Sequence, residues 1–304
     1  MLASNQPGHT HPMPSLDLLI PVYNETDDVV ARTVRAAQSA FAAAGGWDLR
    51  VIVIDDGSRV PVSASAFGGD PTVTLLRHSP NRGYGAALKT GVRAGTAPWI
   101  AIADADGTYP VDRLPELAAH MAAHDTVVGT RTGQNVNIPW LRRFPKACLN
   151  RFASYLAGAP IVDLNSGMRV FTRELAEYLW HLFPSGFSFT STMTMGSLRG
   201  GFRVKEIAID YFKREGSSSI APIKDTVRFF KLAFRLGLLF APLRIFIPVA
   251  ALLFGIGAVK GLGIDYPRQG FVGNLSVACL LSGLQIFLMG LVAELVVLSR
   301  KLRS

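Results

Sequence analysis

The chain has 304 residues, 49% hydrophobic and 17% charged, with a mean hydropathy of +0.28, which excludes a largely disordered protein. Its two cysteines exclude a disulfide framework, and neither stands in a Cys/His cluster with zinc-site spacing. The net charge of +9 is uneven: residues 1–199 carry 17 Lys+Arg against 16 Asp+Glu, and residues 200–304 carry 14 against 6. That basic excess falls in the most hydrophobic third, so it points to anionic lipid and away from nucleic acid.

In chain order, residues 1–15 contain no Lys or Arg and no apolar run, so they are read as a flexible tail without a signal peptide. Apolar runs at 16–22, 49–54, 73–76 and 99–103 predict strands. The Ala-rich stretches 27–44 and 84–94, with caps and glycine stops, predict helices between them. A further helix is expected over 144–158. Strand and helix alternation of this kind predicts an α/β domain with a mostly parallel sheet, whose ligands bind beyond the carboxyl ends of the strands.

Residues 223–240 place Lys224, Arg228, Lys231 and Arg235 at helical spacing, interleaved with Phe229, Phe230, Phe234 and Leu238. The pattern suits an amphipathic helix in the headgroup layer; the alternative is a linker helix packed on the domain. Beyond it, 15 uncharged residues separate Arg244 from Lys260 and 25 separate Arg268 from Glu294. With snorkelling ends, each run is long enough to cross a bilayer core. A transmembrane hairpin is therefore expected in preference to two buried helices of a soluble domain. Its basic flanks, Arg228, Lys231, Arg235 and Arg244 before it and Arg300, Lys301 and Arg303 after it, put both termini in the cytoplasm. The expected division is a tail at 1–15, a catalytic domain at 16–220, an interface helix at 221–242, and the hairpin with its basic tail at 243–304.

The strand ends carry acids. The first runs into Pro21-Val-Tyr-Asn-Glu25, the second into Asp55-Asp-Gly-Ser58 and the fourth into Asp104-Ala-Asp106. Carboxylates gathered at one sheet edge repel unless a cation or donor groups hold them, and oxygen ligands at i and i+2 suit Mg²⁺ or Mn²⁺ completed by substrate phosphates. The turn Asn81-Arg-Gly-Tyr-Gly85 approaches a dinucleotide fingerprint, but Leu88 stands where the third small residue belongs, which excludes the nicotinamide reading. A glycine turn before a helix still suits a phosphate or ribose at Gly83, with Lys89 one turn in, or else a plain loop and cap.

Taken in order with Gly129-Thr-Arg131, Asp163-Leu-Asn-Ser-Gly-Met-Arg169 and Lys213-Arg-Glu-Gly-Ser217, these motifs resemble glycosyltransferase family 2, and within it the polyprenyl-phosphate glycosyltransferases. The resemblance covers about residues 16–220. It implies a GT-A fold and inverting transfer from a GDP- or UDP-linked nucleotide sugar to an undecaprenyl or dolichyl phosphate. By motif, Pro21, Tyr23, Glu25, Asp55, Asp56, Gly83, Lys89, Asp104 and Ala105 would hold the nucleotide. Asp104 and Asp106 would hold Mg²⁺ or Mn²⁺ on the diphosphate, with Arg131 completing the catalytic set. Arg131, Arg169 and Arg214 would meet the acceptor phosphate, the alternative for Arg131 and Arg169 being a structural ion pair; Lys146 and the Arg142-Arg143 pair are further acceptor candidates by position, the alternative being solvated surface charge. Thr108 and Tyr109 follow the metal motif where mannose-transferring members continue Leu-Gln-His, and Ser219 stands where Lys is common after Gly-x-Ser.

A phosphate monoester has a second pKa near 6 and already carries a nucleophilic oxygen at neutral pH, so such a transfer needs no carboxylate base. The other readings are a family 2 transferase acting on a glycan or glycolipid hydroxyl, which needs such a base, and a catalytically inactive membrane scaffold. The glycines at 255, 257, 283 and 290 would pack the hairpin on itself or on another copy, leaving a homo-oligomer open.

Overall fold

In the computed structural model, residues 13–136, 140–186, 188–212, 231–232 and 234–301 are described, with backbone alone at 135–136, 140–146 and 300–301. The tail at 1–12 and residues 221–230 and 233 of the expected interface helix lie outside the described residues. The first six elements follow the sequence pattern: β1 (Ser15–Val22), α1 (Asp27–Ala44), β2 (Asp48–Asp55), β3 (Val73–Arg77), α2 (Tyr84–Ala94) and β4 (Trp99–Ile102). Next come α3 (Leu114–Ala119), β5 (Thr126–Val136), α4 (Trp140–Ala157), β6 (Arg169–Thr172), α5 (Arg173–Tyr178), α6 (Phe189–Gly200) and β7 (Val204–Tyr211). Two long helices, α7 (Pro242–Lys260) and α8 (Asn274–Lys301), end the chain.

The chain forms two compact units: one of residues up to 137, 166–189 and 203–217, the other of 138–165, 190–202 and 218–304. The first unit holds a seven-stranded sheet in the order β3-β2-β1-β4-β6-β5-β7. β1 pairs in parallel with β2 and β4, β2 with β3 and β5 with β7; β6 alone runs antiparallel to its neighbours β4 and β5.

β1 is central and buried from Leu16 to Val22, which is why it reads as an unbroken apolar run rather than an alternation. One face of it, Leu16, Leu18, Ile20 and Val22, packs with Val30, Val34, Ala37 and Phe41 of α1. On the other face Gly91 of α2 lies so close to Leu19 and Ile54 that an added Cβ would stand 2.9–3.0 Å from their methyl carbons. Glycine here lets α2 settle directly on the sheet. At the amino end, the buried Asp17 takes Arg50 (2.9 Å), Arg173 (3.1 Å) and the Ala97 amide (2.8 Å), which leaves the carboxyl end of the sheet for chemistry.

In the second unit, α7 and α8 are antiparallel. Gly257 meets Leu280, Gly283 meets Ala250 and Phe254, and Gly290 meets Phe246 and Leu243, so these three glycines serve the hairpin itself. Gly255 has nothing within 4 Å of an added Cβ. Pro242–Gln269 and Asn274–Ser299 are long and apolar enough to cross a membrane, and most of their large side chains are exposed, among them Leu252, Val259, Leu281 and Leu295. The helical residues 234–240 before α7 expose Phe234, Arg235 and Leu238 together and bury Leu236 and Phe240. Basic and apolar groups thus share one outward face, with Lys231 also exposed.

α4 begins at Trp140, earlier than expected, so positions 142 and 143 lie inside the helix rather than ahead of it.

Candidate active site

Three loops meet at the carboxyl edge of β1, β2 and β4. Asn24, in the left-handed region at φ 58°, joins the first two: its amide donates to Ser58 Oγ (2.9 Å) and its side-chain oxygen accepts from the Arg59 amide (2.9 Å). Beside it Pro21 is buried, Glu25 is half-buried and Tyr23 is exposed at the rim.

Asp55 and Asp56 do not face outward. Asp55 is wholly buried; its oxygens accept from the amides of Ser58 (2.9 Å) and Val62 (3.2 Å). Asp56 is buried too. One oxygen takes His78 Nδ1 at 2.6 Å and the Arg82 amide at 3.0 Å, and the other takes the Gly83 amide at 2.8 Å. His78 in turn meets Thr90 Oγ1 of α2 at 2.9 Å. The Asp55 carboxylate thus closes the 56–62 loop and the Asp56 carboxylate ties it to the 78–83 loop, because buried amides need acceptors. Gly57 (φ 74°) permits the approach, since a Cβ there would stand 2.6 Å from the Asn81 nitrogen.

The glycine turn is also bonded within the protein. The amides of Gly85 and Ala86 donate to the carbonyls of Gly186 (3.2 Å) and Ser185 (2.9 Å), and the Lys89 ammonium donates to the Phe183 carbonyl. Burial, with Arg93 nearby, lowers the Lys89 pKa from the ordinary lysine value. The Gly83 amide donates to Asp56, and one of the three Lys89 ammonium protons is used by the Phe183 carbonyl.

Beyond β4, Asp104 and Asp106 are both half-buried and Ala105 between them is buried. The Ala105 carbonyl accepts from Thr33 of α1 (3.1 Å). The Tyr84 hydroxyl, at the start of α2, donates to Asp104 Oδ1 at 3.1 Å. Gly167 lies against the same carboxylate, a Cβ there reaching within 2.7 Å of Oδ2. Asp106 Oδ1 accepts from the Thr108 hydroxyl (2.6 Å) and amide (3.2 Å). Thr108 passes its carbonyl to the Phe212 amide (2.9 Å), and the Tyr109 hydroxyl accepts from the Gly167 amide (2.8 Å). Burial, reinforced for Tyr84 by Asp104, pushes both phenols above the ordinary tyrosine pKa, so each remains a neutral hydrogen-bonding group.

Arg131, midway along β5, is half-buried with its guanidinium 5.2 Å from the centre of the Tyr211 ring, and Tyr211 packs edge-on to Tyr109 at 5.2 Å. This cation–π support holds the charge beside the Asp104–Asp106 loop. Arg169 is fully buried and donates to the Ser166 carbonyl. It is an internal cation of the loop behind Asp104. The Lys146 side chain and all of Arg214 lie outside the described residues.

Tyr84, Tyr109, Tyr211, Asn24 and His78 were not singled out as site residues by sequence reasoning. Asn in a strand-to-helix turn and Tyr between two glycines were the visible signals; the other roles arise from tertiary contacts. Among the described residues no cluster of three or more Asp, Glu, His or Cys forms. Two carboxylates on one short loop fit a hard divalent cation that takes its remaining oxygens from substrate and water.

Residues 17–180, more than half of the chain, match the sequence model of the family described as glycosyl transferase family 2. The chain belongs to glycosyl transferase family 2. Residues 241–297 of this family 2 glycosyltransferase match a second model, the GtrB C-terminal hairpin. It is 30% identical over 175 residues to the dolichyl-phosphate hexose transferase of Haloferax volcanii, covering 56% of this chain and 74% of that protein. It is 28% identical over 249 residues to the polyprenol monophosphomannose synthase of Mycolicibacterium smegmatis, covering 76% and 90%. Glucosyl-3-phosphoglycerate synthase from Mycobacterium tuberculosis, solved with Mn²⁺, UDP and phosphoglyceric acid, shares the fold: TM-score 0.55 at 12% identity, over 74% of this chain and 78% of that one. The expected GT-A-like α/β domain with a mostly parallel sheet is the fold observed.

Proposed function

We propose that this family 2 enzyme transfers a sugar, with inversion, from a GDP- or UDP-linked donor to a polyprenyl phosphate at the membrane surface. The observation that carries the reading is the Asp104–Asp106 pair at the carboxyl edge of a family 2 sheet, in a chain that ends in a hairpin of membrane length. The names of the relatives, a dolichyl-phosphate hexose transferase and a polyprenol monophosphomannose synthase, support the acceptor class.

In this reading Tyr23 and Glu25 meet the nucleotide at the rim while Asn24, Asp55 and Asp56 hold the loops that shape its seat. Asp104 and Asp106 would hold Mg²⁺ or Mn²⁺, which supplies positive charge to the departing diphosphate. Arg131 stands where two anions, the lipid phosphate and the donor diphosphate, must be brought within reach of each other. Arg214 is assigned to the same phosphate by motif, and Lys146 by its position in the chain. α6 carries Thr190, Ser191, Thr192, Thr194 and Ser197 buried along it, and Arg199 is its only charged residue. A lipid phosphate, itself the nucleophile, suits a site with no carboxylate there better than a hydroxyl acceptor does. Both termini and the catalytic unit are assigned to the cytoplasmic side by the basic flanks of the hairpin.

The test is nucleoside diphosphate release by purified protein, with UDP- and GDP-sugars, undecaprenyl or dolichyl phosphate, and Mn²⁺, Mg²⁺ or EDTA. Release that needs both the lipid phosphate and the metal, and that Asp106→Ala abolishes, supports the reading. Release without lipid, or full activity in Asp106→Ala, overturns it.

A further inference from the structure

Between Gln269 and Arg300 the chain carries one charged residue, Glu294, on the membrane-length helix α8. An acid in such a helix is costly to keep and marks a role. Glu294 Oε1 lies 3.7 Å from Arg199 Nη2, at the end of α6. Each member of this pair also reaches one side of a break in the chain. Ala241 (φ −155°, ψ 58°) interrupts the helical path between residues 234–240 and α7, and it supplies no side-chain cap. Arg199 Nε donates to the Phe240 carbonyl, the end of the earlier helix, at 2.9 Å. Glu294 Oε2 accepts from the Leu243 amide, in the first turn of α7, at 3.4 Å. A cation thus sits on orphan carbonyls and an anion on orphan amides, each on the helix end whose dipole it complements.

The opposite end of α6 holds a different segment. Ser191 Oγ meets Asn165 Oδ1 at 2.7 Å, and the Thr194 hydroxyl reaches the Leu164 carbonyl at 3.5 Å. α6 is therefore held at both ends within the second unit.

We propose that Arg199 and Glu294 form a positioning clamp that fixes α6 to the bend at Ala241, setting how the basic and apolar face of residues 234–240 leads into the hairpin and so how that face meets the lipid surface that holds the acceptor. The inference rests on the polyprenyl-phosphate reading above. Neither residue touches substrate; both act through the helix ends they hold.

The experiment compares wild type, Arg199→Ala, Glu294→Ala and the milder Arg199→Lys and Glu294→Gln in lipid nanodiscs. It measures KM for undecaprenyl phosphate and for the sugar nucleotide, nucleoside diphosphate binding, and amide hydrogen exchange at residues 241–245. The alanine variants are expected to raise the acceptor KM about tenfold while the donor KM stays within about twofold, with faster exchange at 241–245. Arg199→Lys is expected to keep most of the acceptor affinity. Unchanged acceptor KM and exchange overturn the clamp, as does an equal loss toward donor and acceptor, which would mark a general folding defect. If an alanine variant binds no nucleotide, the two milder variants carry the comparison: Glu294→Gln is expected to raise acceptor KM alone, and no change in it overturns the clamp. If wild type shows no lipid-dependent release, the polyprenyl reading fails instead, and the exchange data alone decide whether the clamp exists.

Discussion

The hydroxyl of Tyr84 donates to Asp104 Oδ1 at 3.1 Å, so the first residue of α2 orients the first carboxylate of the Asp104–Asp106 pair. A buried hydrogen bond to a charged group is worth roughly 1.5–3 kcal/mol. Tyr84→Phe is expected to leave the fold intact and to raise the Mn²⁺ concentration for half-maximal activity several-fold. A Mn²⁺ titration of nucleoside diphosphate release checks this; an unchanged midpoint would separate Tyr84 from the carboxylate's work.

His78 links Asp56 to Thr90 inside the nucleotide-side loops. Replacing it by Ala strips a partner from each, at a cost of about 1–3 kcal/mol. His78→Ala should lower the urea midpoint and weaken nucleoside diphosphate binding together, as read by denaturation and by calorimetric titration. Loss of stability with binding intact would mean that Asp56 holds the loop through the Arg82 and Gly83 amides alone.

A Cβ on Gly85 would stand 2.2 Å from the Pro184 oxygen and 2.8 Å from that of Gly186, whereas one on Gly255 would meet nothing within 4 Å. Both neighbours of Gly85 are backbone, so neither yields easily. Overpacking of this kind costs about 1–3 kcal/mol. Gly85→Ala is expected to depress the Tm by several degrees and Gly255→Ala to leave it unchanged, in thermal unfolding followed by circular dichroism.

Arg131 and Arg169 both stand near the acidic loop, one half-buried and the other enclosed. Arg131→Ala should cut turnover by at least about tenfold, roughly 1.4 kcal/mol in the barrier, with little change in Tm. Arg169→Ala should destabilise by about 2 kcal/mol or more, through an emptied interior site and lost hydrogen bonding. Paired measurements of Tm and nucleoside diphosphate release distinguish the two; similar behaviour would refute the division of roles.

Asp125 precedes β5 and takes two hydrogen bonds from the Arg203 guanidinium, at 2.9 and 3.3 Å, and one from its amide at 2.7 Å. Arg203 holds its carboxyl below the usual carboxylate value. A carboxylate with a depressed folded pKa stabilises fully above its unfolded pKa, near 3.9, and this contribution fades as the pH falls through the lower folded value. Asp125→Asn should therefore be less stable than wild type at pH 7, and the difference should shrink below about pH 4. Tm measured from pH 7 to pH 3 tests the sign.

The central strands, α1 and α2 were legible because their signals are local. β1, β2 and β4 are unbroken apolar runs, as a sheet covered on both faces demands, and both helices carry a period of 3.6 residues. The three acid-bearing loops and the two membrane-length helices were equally legible, since spacing and hydropathy are properties of the chain itself. β5 was less so: Thr-Val-Val-Gly-Thr-Arg-Thr-Gly has no clean alternation, and its strand character comes from pairing with β6 and β7.

The sequence by itself thus determined the sheet's centre, the order of the acidic loops, the Asp104–Asp106 pair and the hairpin. Only the tertiary structure decided which polar groups face outward. Asp55, Asp56, Gly83, Lys89 and Arg169 carry residue types suited to a ligand, yet each is taken up by a neighbouring loop. The reason is that buried amides, carbonyls and charges must find partners inside the protein, and which group is buried is settled by segments far apart in the chain.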